Sequence, residues 1–189
     1  CEGLILRGIF MLRKQEIDWF YQGGASNIYP DDWELFLKPI PENEQGDLVA
    51  AYYKRLTSSD KSTRLEAANA WAIWEASTSK LYQSENFLHH FGDLKVAEAF
   101  ARIECHYFIN GGFFEKESWI LDNVDKIRHL PTVIVQGRYD VVCPMVSAWE
   151  LHNALPEADF KLVQDAGHSM TEKGIAAKLV EYTDRFSAL

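Results

Sequence analysis

One stretch decides how this chain folds: Thr132-Val133-Ile134-Val135-Gln136-Gly137-Arg138-Tyr139-Asp140. A short run of mostly β-branched, apolar residues ends in a glycine turn and then presents an acid, which is typical of a buried parallel strand followed by a loop. A similar run at 160–164 ends in Asp165-Ala166-Gly167-His168. Active sites of open α/β sheets lie just past the carboxyl ends of strands. The pattern therefore places Asp140 and His168 where such sites are built.

The remaining chain predicts one sheet interrupted by a helical block. Leu4-Ile5-Leu6-Arg7-Gly8 is a further apolar run closed by glycine, so residues 1–10 are assigned to the sheet. Residues 11–130 have helical periodicity, and residues 131–189 return to alternating strands and helices. The predicted elements of this last part are strands at 132–136 and 160–164 and helices at 146–154 and 172–186. Such alternation predicts an α/β fold with three parallel strands and a large inserted all-helical lid domain.

Apolar residues at helical spacing predict several helices within the inserted block. They cover 31–37, 47–56, 60–77, 94–110 and 118–127. Asp31 and Asp32 are expected to cap the first helix, and Asp60 or Ser62 the third. In the fourth, the spacing predicts an inward face that consists of Val96, Ala99, Phe100, Ile103 and Tyr107.

Composition excludes several classes of function. The formal net charge of −9, without a basic patch, argues against nucleic acid and anionic membrane surfaces as partners. No run approaches the roughly 20 apolar residues of a membrane span. Three cysteines without metal-ligand spacing suit a reducing compartment, which predicts a cytoplasmic protein. The first residue is Cys1 rather than Met, so we expect that the true N-terminus is missing, which leaves targeting open.

Asp140 and His168 are the first candidates for chemistry. A serine nucleophile needs a histidine to take its proton, and that histidine needs a carboxylate to fix its tautomer. The alternative is an ordinary turn aspartate and a surface histidine, and the pattern alone does not decide between them. No Gly-x-Ser-x-Gly turn, which would carry the serine, occurs in the chain.

Glu75 and Glu104 each fall on the apolar side of an aromatic-rich helix. Burying a carboxylate among aromatic rings is costly unless a cation pairs with it, so two of them could hold a substrate ammonium group. The pattern by itself favours the simpler alternative, in which each faces water or pairs with a lysine or arginine. Cys143 is interpreted as a pocket wall or an inert buried thiol. His89-His90 has no third ligand at a sensible spacing, so neither a metal nor any other cofactor is expected.

Seven short motifs, in order along the whole chain, resemble the proline iminopeptidases (prolyl aminopeptidases) of the α/β-hydrolase fold. They are Leu6-Arg7-Gly8-Ile9-Phe10, residues 18–25 (Asp-Trp-Phe-Tyr-Gln-Gly-Gly-Ala), Ala70-Trp71 through Trp74-Glu75, Ala101-Arg102-Ile103-Glu104 with Tyr107-Phe108, Asn110-Gly111-Gly112-Phe113-Phe114, Gly137-Arg138-Tyr139-Asp140 with Cys143-Pro144, and Ala166-Gly167-His168-Ser169.

This resemblance implies a serine exopeptidase that removes N-terminal proline from peptides. Asp140 and His168 match the catalytic acid and base, and Glu75 and Glu104 match lid glutamates that recognise the free imino group. Arg7 resembles a residue that supports those carboxylates. The residues that resemble the walls of the proline pocket are Phe10, Tyr21, Val142 and Cys143.

The serine turn and half of the oxyanion hole precede residues 4–7 in that family. The chain therefore resembles only the lid and the C-terminal part of the hydrolase, and we expect it to be inactive without the missing N-terminal half. Two alternatives remain open. One is another lidded α/β-hydrolase, such as an esterase or epoxide hydrolase. The other is a non-catalytic binding remnant.

Overall fold

The computed structural model describes residues 1–83 and 94–187, and the side chains of all of these except Leu94. They form two compact units. The sheet unit comprises Cys1–Arg13, Ser79–Leu81 and Glu115–Leu189, and the helical unit comprises Lys14–Thr78 and Tyr82–Phe114. Residues 115–130, which the sequence pattern assigned to the helical block, thus group with the sheet. His89-His90 lies outside the described residues.

In the described part of the chain, the sheet has three parallel strands in the order β1-β2-β3. They are β1 (Leu4–Arg7), β2 (Thr132–Gly137) and β3 (Asp159–Val163). In the central strand β2, Thr132 lies opposite Leu4 of β1, and Gly137 lies opposite Val163 of β3. The predicted α/β arrangement with parallel strands is confirmed, with strand bounds within one residue of those predicted at 132–136 and 160–164.

Side chains of β2 alternate between two apolar layers, because successive residues of a strand point to opposite faces. Ile134 packs in a cluster with α6 (Met145–Ala154), and Val133 and Val135 pack in another with α7 (Lys173–Phe186). Val124 joins the cluster of Ile134, which explains why residues 115–130 belong to this unit. The α-helix predicted at 118–127 is instead a 3₁₀ turn at Leu121–Lys126.

Two glycines let the ends of β1 and β2 approach the loop that carries His168. A Cβ on Gly137 would lie 2.0 Å from the carbonyl oxygen of Gly167. Gly8 has a φ of +56°, and a Cβ there would lie 2.8 Å from Cε1 of His168. Any larger residue at either position would push this loop away.

The helical unit consists of short and long helices around aromatic side chains. Its described residues form the α-helices α1 (Lys14–Asp18), α2 (Pro30–Leu37), α3 (Leu48–Leu56), α4 (Lys61–Thr78) and α5 (Leu94–Ile109), with a π-helix at Trp19–Gly23 and 3₁₀ turns at Ala25–Asn27, Glu42–Glu44 and Gly111–Phe113. Asp47 caps α3 through the Ala50 N–H, and Asp60 accepts from the Thr63 N–H at the start of α4. At the start of α2, Tyr29 is the N-cap residue and Pro30 follows it, so the caps predicted at Asp31 and Asp32 are wrong.

The inward face predicted for α5 is wrong. Ile103 is 62% exposed and Val96 is 45% exposed, whereas Ala97, Ala101 and Cys105 are buried. These small side chains allow α5 to pack closely against α4. The favourable contacts of this close packing outweigh what burying the larger residues of the predicted face would contribute. With this face of α5 buried, the Glu104 side chain reaches Nε1 of Trp71 in the aromatic core of the helical unit.

Candidate active site

In the sheet unit, the loops after β2 and β3 bring Asp140 and His168 into contact. Nδ1 of His168 lies 3.0 Å from Oδ2 and 3.2 Å from Oδ1 of Asp140. The Asp140 side chain is 1% exposed and that of His168 is 19% exposed. A histidine held at Nδ1 by a buried carboxylate keeps Nε2 available to accept a proton, which is the arrangement that general-base catalysis needs.

Two further N–H groups bind the Asp140 carboxylate. Oδ1 accepts a hydrogen bond from the Cys143 backbone N–H at 2.8 Å, and Oδ2 accepts one from Nε2 of Gln136 at 3.0 Å. Together with His168, three N–H donors surround the carboxylate. This compensates the cost of burying its charge, because hydrogen bonds replace the lost water.

Several groups hold the His168 loop. The backbone N–H groups of His168 and Ser169 donate to the Ser79 carbonyl oxygen at 3.1 and 2.8 Å. The Glu172 carboxylate accepts from the Gly167 N–H at 2.5 Å and from the Leu81 N–H at 2.7 Å. These bonds explain why Ser79–Leu81 group with the sheet unit.

Arg7 and three of the predicted pocket residues lie in the sheet unit. Arg7 donates a hydrogen bond from Nη1 to the His168 carbonyl oxygen. Cys143 is buried, and its backbone N–H binds Asp140. Phe10 and Val142 are half-buried. Their predicted role as pocket walls, and that of Arg7 as a support for carboxylates, stay predictions.

The helical unit contains the second group of predicted residues: Glu75 on α4, Glu104 on α5 and Tyr21 on the π-helix. The carboxyls of Glu75 and Glu104 hydrogen-bond to each other. The Tyr21 hydroxyl donates to Oε1 of Glu75, and Nε1 of Trp71 donates to Oε2 of Glu104 at 2.8 Å. Tyr21 and Trp71 stack with ring centroids 4.4 Å apart, so one aromatic pair supplies a donor to each carboxyl.

Burial strongly affects the acids of the helical unit. Burial first, and then the charge of Glu104, raise the pKa of the Glu75 carboxyl well above its ordinary value. Burial likewise raises the pKa of the neighbouring Cys105 thiol to about 12. A proton or a cation between the two carboxyls would relieve their repulsion, so the arrangement can bind a positively charged group.

Four residues with contacts in these two groups were not predicted as site residues: Gln136, Glu172, Ser79 and Trp71. For Gln136 a signal was present, because it is a polar residue at the end of an apolar buried strand. Glu172 and Ser79 had no comparable signal, since their partners are backbone atoms that only the folded chain brings near. Trp71 belongs to one of the seven motifs, but its hydrogen bond to Glu104 depends on which face of α5 is buried, and the sequence pattern misjudged that face.

Within residues 1–83 and 94–187, no cluster of three or more histidine, cysteine or acidic side chains is arranged to hold a metal ion. Within the same residues, no helix is both long enough and apolar enough to cross a membrane.

Comparisons with known proteins agree with this architecture. Residues 10–174 match the sequence profile of the α/β hydrolase fold. The chain is 60% identical over 188 residues to a probable proline iminopeptidase of Leptolyngbya boryana, covering 100% of the chain and 59% of that relative. It is 58% identical to the proline iminopeptidase of Arabidopsis thaliana, covering 99% of the chain and 50% of the relative. For the Neisseria gonorrhoeae proline iminopeptidase the identity is 46%, covering 95% and 57%. The chain thus spans half to three fifths of the length of these relatives.

Proposed function

The chain belongs to the α/β-hydrolase fold family, and on that premise we propose that it is part of a prolyl aminopeptidase, a serine exopeptidase that releases N-terminal proline from peptides. The observation that carries the proposal is the buried contact between Asp140 and Nδ1 of His168 at 3.0 Å. Relatives named proline iminopeptidase support the choice of substrate.

In this proposal His168 is the general base and Asp140 orients it. Nε2 of His168 takes the proton of a serine hydroxyl as its oxygen attacks the carbonyl carbon of the prolyl residue. The same proton then passes to the leaving amine, and a water molecule repeats the sequence to release proline. Asp140 keeps the proton of His168 on Nδ1 and stabilises the imidazolium that forms.

The nucleophile must come from residues outside this sequence, because no Gly-x-Ser-x-Gly turn occurs within it. We therefore expect these 189 residues to have no peptidase activity without the N-terminal half of the hydrolase. The polypeptide that contains both parts is called the full-length protein.

Glu75 and Glu104 are proposed to recognise the cationic imino end of the substrate. A buried pair of carboxyls favours a positive charge, and an acylated, neutral N-terminus would not supply one. This would restrict the enzyme to free N-termini. Phe10, Tyr21, Val142 and Cys143 are proposed to line the pocket for the apolar proline ring, and Arg7 to support the carboxylates.

The reaction as proposed needs no cofactor, since His168 carries out every proton transfer between the serine, the leaving amine and water, and Asp140 only orients it. We place it in the cytoplasm, which fits three cysteines without metal-ligand spacing.

The test is hydrolysis by the purified full-length protein. We expect rapid release of the arylamine from L-proline p-nitroanilide, little from its N-acetylated form, and loss of activity on His168→Ala. Efficient hydrolysis of p-nitrophenyl esters or epoxides without the prolyl arylamide would assign another lidded hydrolase. Binding of prolyl peptides without turnover would assign a non-catalytic protein.

A further inference from the structure

One polar side chain ends the apolar run of β2. Gln136 is 0% exposed and follows Val133, Ile134 and Val135. Burying an amide without hydrogen bonds costs about 1–3 kcal/mol. The partners of this amide therefore indicate why an otherwise apolar strand carries it.

Every polar atom of the Gln136 amide has a partner. Nε2 donates to Oδ2 of Asp140 at 3.0 Å and to the Cys143 carbonyl oxygen at 2.9 Å. Oε1 accepts a longer bond, at 3.4 Å, from the Ile9 backbone N–H. A single side chain thus connects the segment after β1, the turn after β2 and the acid that contacts His168.

These partners allow only one orientation of the amide. If its nitrogen and oxygen exchanged places, Oε1 would face the oxygens of Asp140 and Cys143, and Nε2 would face the Ile9 N–H. All three contacts would become repulsive. The N–H group of Gln136 is therefore held towards Asp140.

A fixed donor at Oδ2 also fixes the plane of the Asp140 carboxylate. Oδ1 is held by the Cys143 N–H at 2.8 Å, and Nδ1 of His168 approaches both oxygens from a third direction. Rotation about the bond between Cβ and Cγ would break the bonds to Gln136 and Cys143 together. We propose that Gln136 is a positioning residue of the hydrolytic centre, which holds Asp140 in the plane that keeps the proton of His168 on Nδ1.

The alternative is that Gln136 only links the segment after β1 to the turn after β2 and has no effect on Asp140. In that case, replacing Gln136 would affect folding but would change neither the tautomer of His168 nor the pH dependence of turnover. The proposal rests on the hydrolytic role of Asp140 and His168, so the experiment includes a measurement that needs no substrate.

The first measurement is kinetic, in the full-length protein. Gln136→Leu removes a hydrogen bond to a charged group and should lower kcat about tenfold to a hundredfold while KM changes little. Gln136→Glu retains the shape and the acceptor for the Ile9 N–H. At low pH its carboxyl and that of Asp140 share a proton, which preserves a donor; at high pH this donor is lost. We expect kcat of this variant to fall on the alkaline side, where the wild type stays level.

The second measurement is proton NMR of protein with ¹⁵N-labelled histidine. The wild type should give a downfield Nδ1–H resonance for His168, assigned by its loss in His168→Ala, and Gln136→Leu should shift or broaden it. Two control variants should leave it in place: Thr132→Val, at the other end of the same buried strand, and Gln164→Leu, the same exchange on an exposed residue after β3.

An unchanged resonance in Gln136→Leu, or an unchanged kcat, overturns the proposal. If Gln136→Leu does not fold, a pH profile of Gln136→Glu that matches the wild type overturns it as well. Failure of the proposed function is recognised separately. If the wild type cleaves esters but not prolyl arylamides, the substrate assignment fails, whereas the resonance and kcat for the ester still test Gln136.

Discussion

Two buried carboxyls of this molecule have similar exposure and opposite surroundings. Taken as whole residues, Asp140 in the sheet unit is 5% exposed, and Glu75 in the helical unit is 7% exposed. Three N–H donors surround Asp140, whereas Glu75 accepts from the Tyr21 hydroxyl and lies beside another acid, Glu104. The difference teaches that burial alone does not decide what an acid binds. Neighbouring N–H groups hold the Asp140 carboxylate beside His168, whereas a second acid beside Glu75 favours a positive charge there.

The largest effect should follow from removing the charge of the first carboxyl. Asp140→Asn in the full-length protein should lower kcat about 10⁴-fold with KM nearly unchanged, because His168 would lose the partner that fixes its tautomer. Steady-state kinetics with L-proline p-nitroanilide checks this. A loss below tenfold would mean that the contact with His168 is not catalytic and would break the comparison.

The second effect concerns the partner of Glu75. Glu104→Gln should raise KM for L-proline p-nitroanilide about tenfold or more, because the cationic imino group would lose the negative charge of the acid beside Glu75. Glu98→Gln is the matched control on the same helix, since Glu98 pairs with Arg64 instead, at 2.9 Å. If both variants behave alike, Glu104 has no special part in recognition.

A smaller effect should come from the donor to Glu75. Tyr21→Phe keeps the ring stacked on Trp71 and removes only the hydroxyl, so KM should rise about fivefold, as expected for the loss of about 1 kcal/mol. Tyr53→Phe, elsewhere in the helical unit, is the control. A wild-type KM in Tyr21→Phe would show that Glu75 needs no donor from this residue.

The smallest effect is on stability. The change in Tm at pH 8 should have opposite signs when Glu75, whose pKa is raised, and Glu98, whose pKa is lowered, are replaced by glutamine. Below the ordinary pKa of 4.5, Glu75 is protonated in both folded and unfolded chains; above it, the unfolded chain releases the proton while burial and Glu104 keep the folded pKa raised. Wild-type stability therefore declines as pH rises through this window. Glu75→Gln should raise Tm at pH 8 by a few degrees and hardly change it at pH 4, with about 3 °C for each 1 kcal/mol gained.

Glu98→Gln provides the opposite sign in the same thermal melts. Its hydrogen bond from Arg64 lowers the pKa of Glu98, so the stability it contributes is present above the ordinary value and is lost as pH falls through the lowered pKa. Glu98→Gln should thus lower Tm at pH 8 and have less effect in acid. If Glu75→Gln also lowered Tm at pH 8, the proposed difference between Glu75 and Glu98 would be wrong.

Periodicity could predict the strands and most helices, because their signals are local. It predicted β2 and α3 nearly to the residue, since an apolar run bounded by glycine and a capping aspartate are visible in the chain itself. Periodicity misjudged the buried face of α5. Two faces of this helix are apolar, and only packing against α4 decides which of them is buried. Periodicity also extended the helical block to residue 130, because nothing local indicates that Val124 packs with Ile134.

For the candidate site, the sequence by itself determined the residue types: an acid and a histidine at two strand ends, and two acids on aromatic helices. Such features depend on spacing along the chain. Only the tertiary structure decided which atoms face each other: Gln136 on Asp140, Glu172 on the His168 loop, and Glu75 on Glu104. These contacts join residues that are distant in sequence, and their energies depend on the burial and direction of individual hydrogen bonds, which periodicity does not encode.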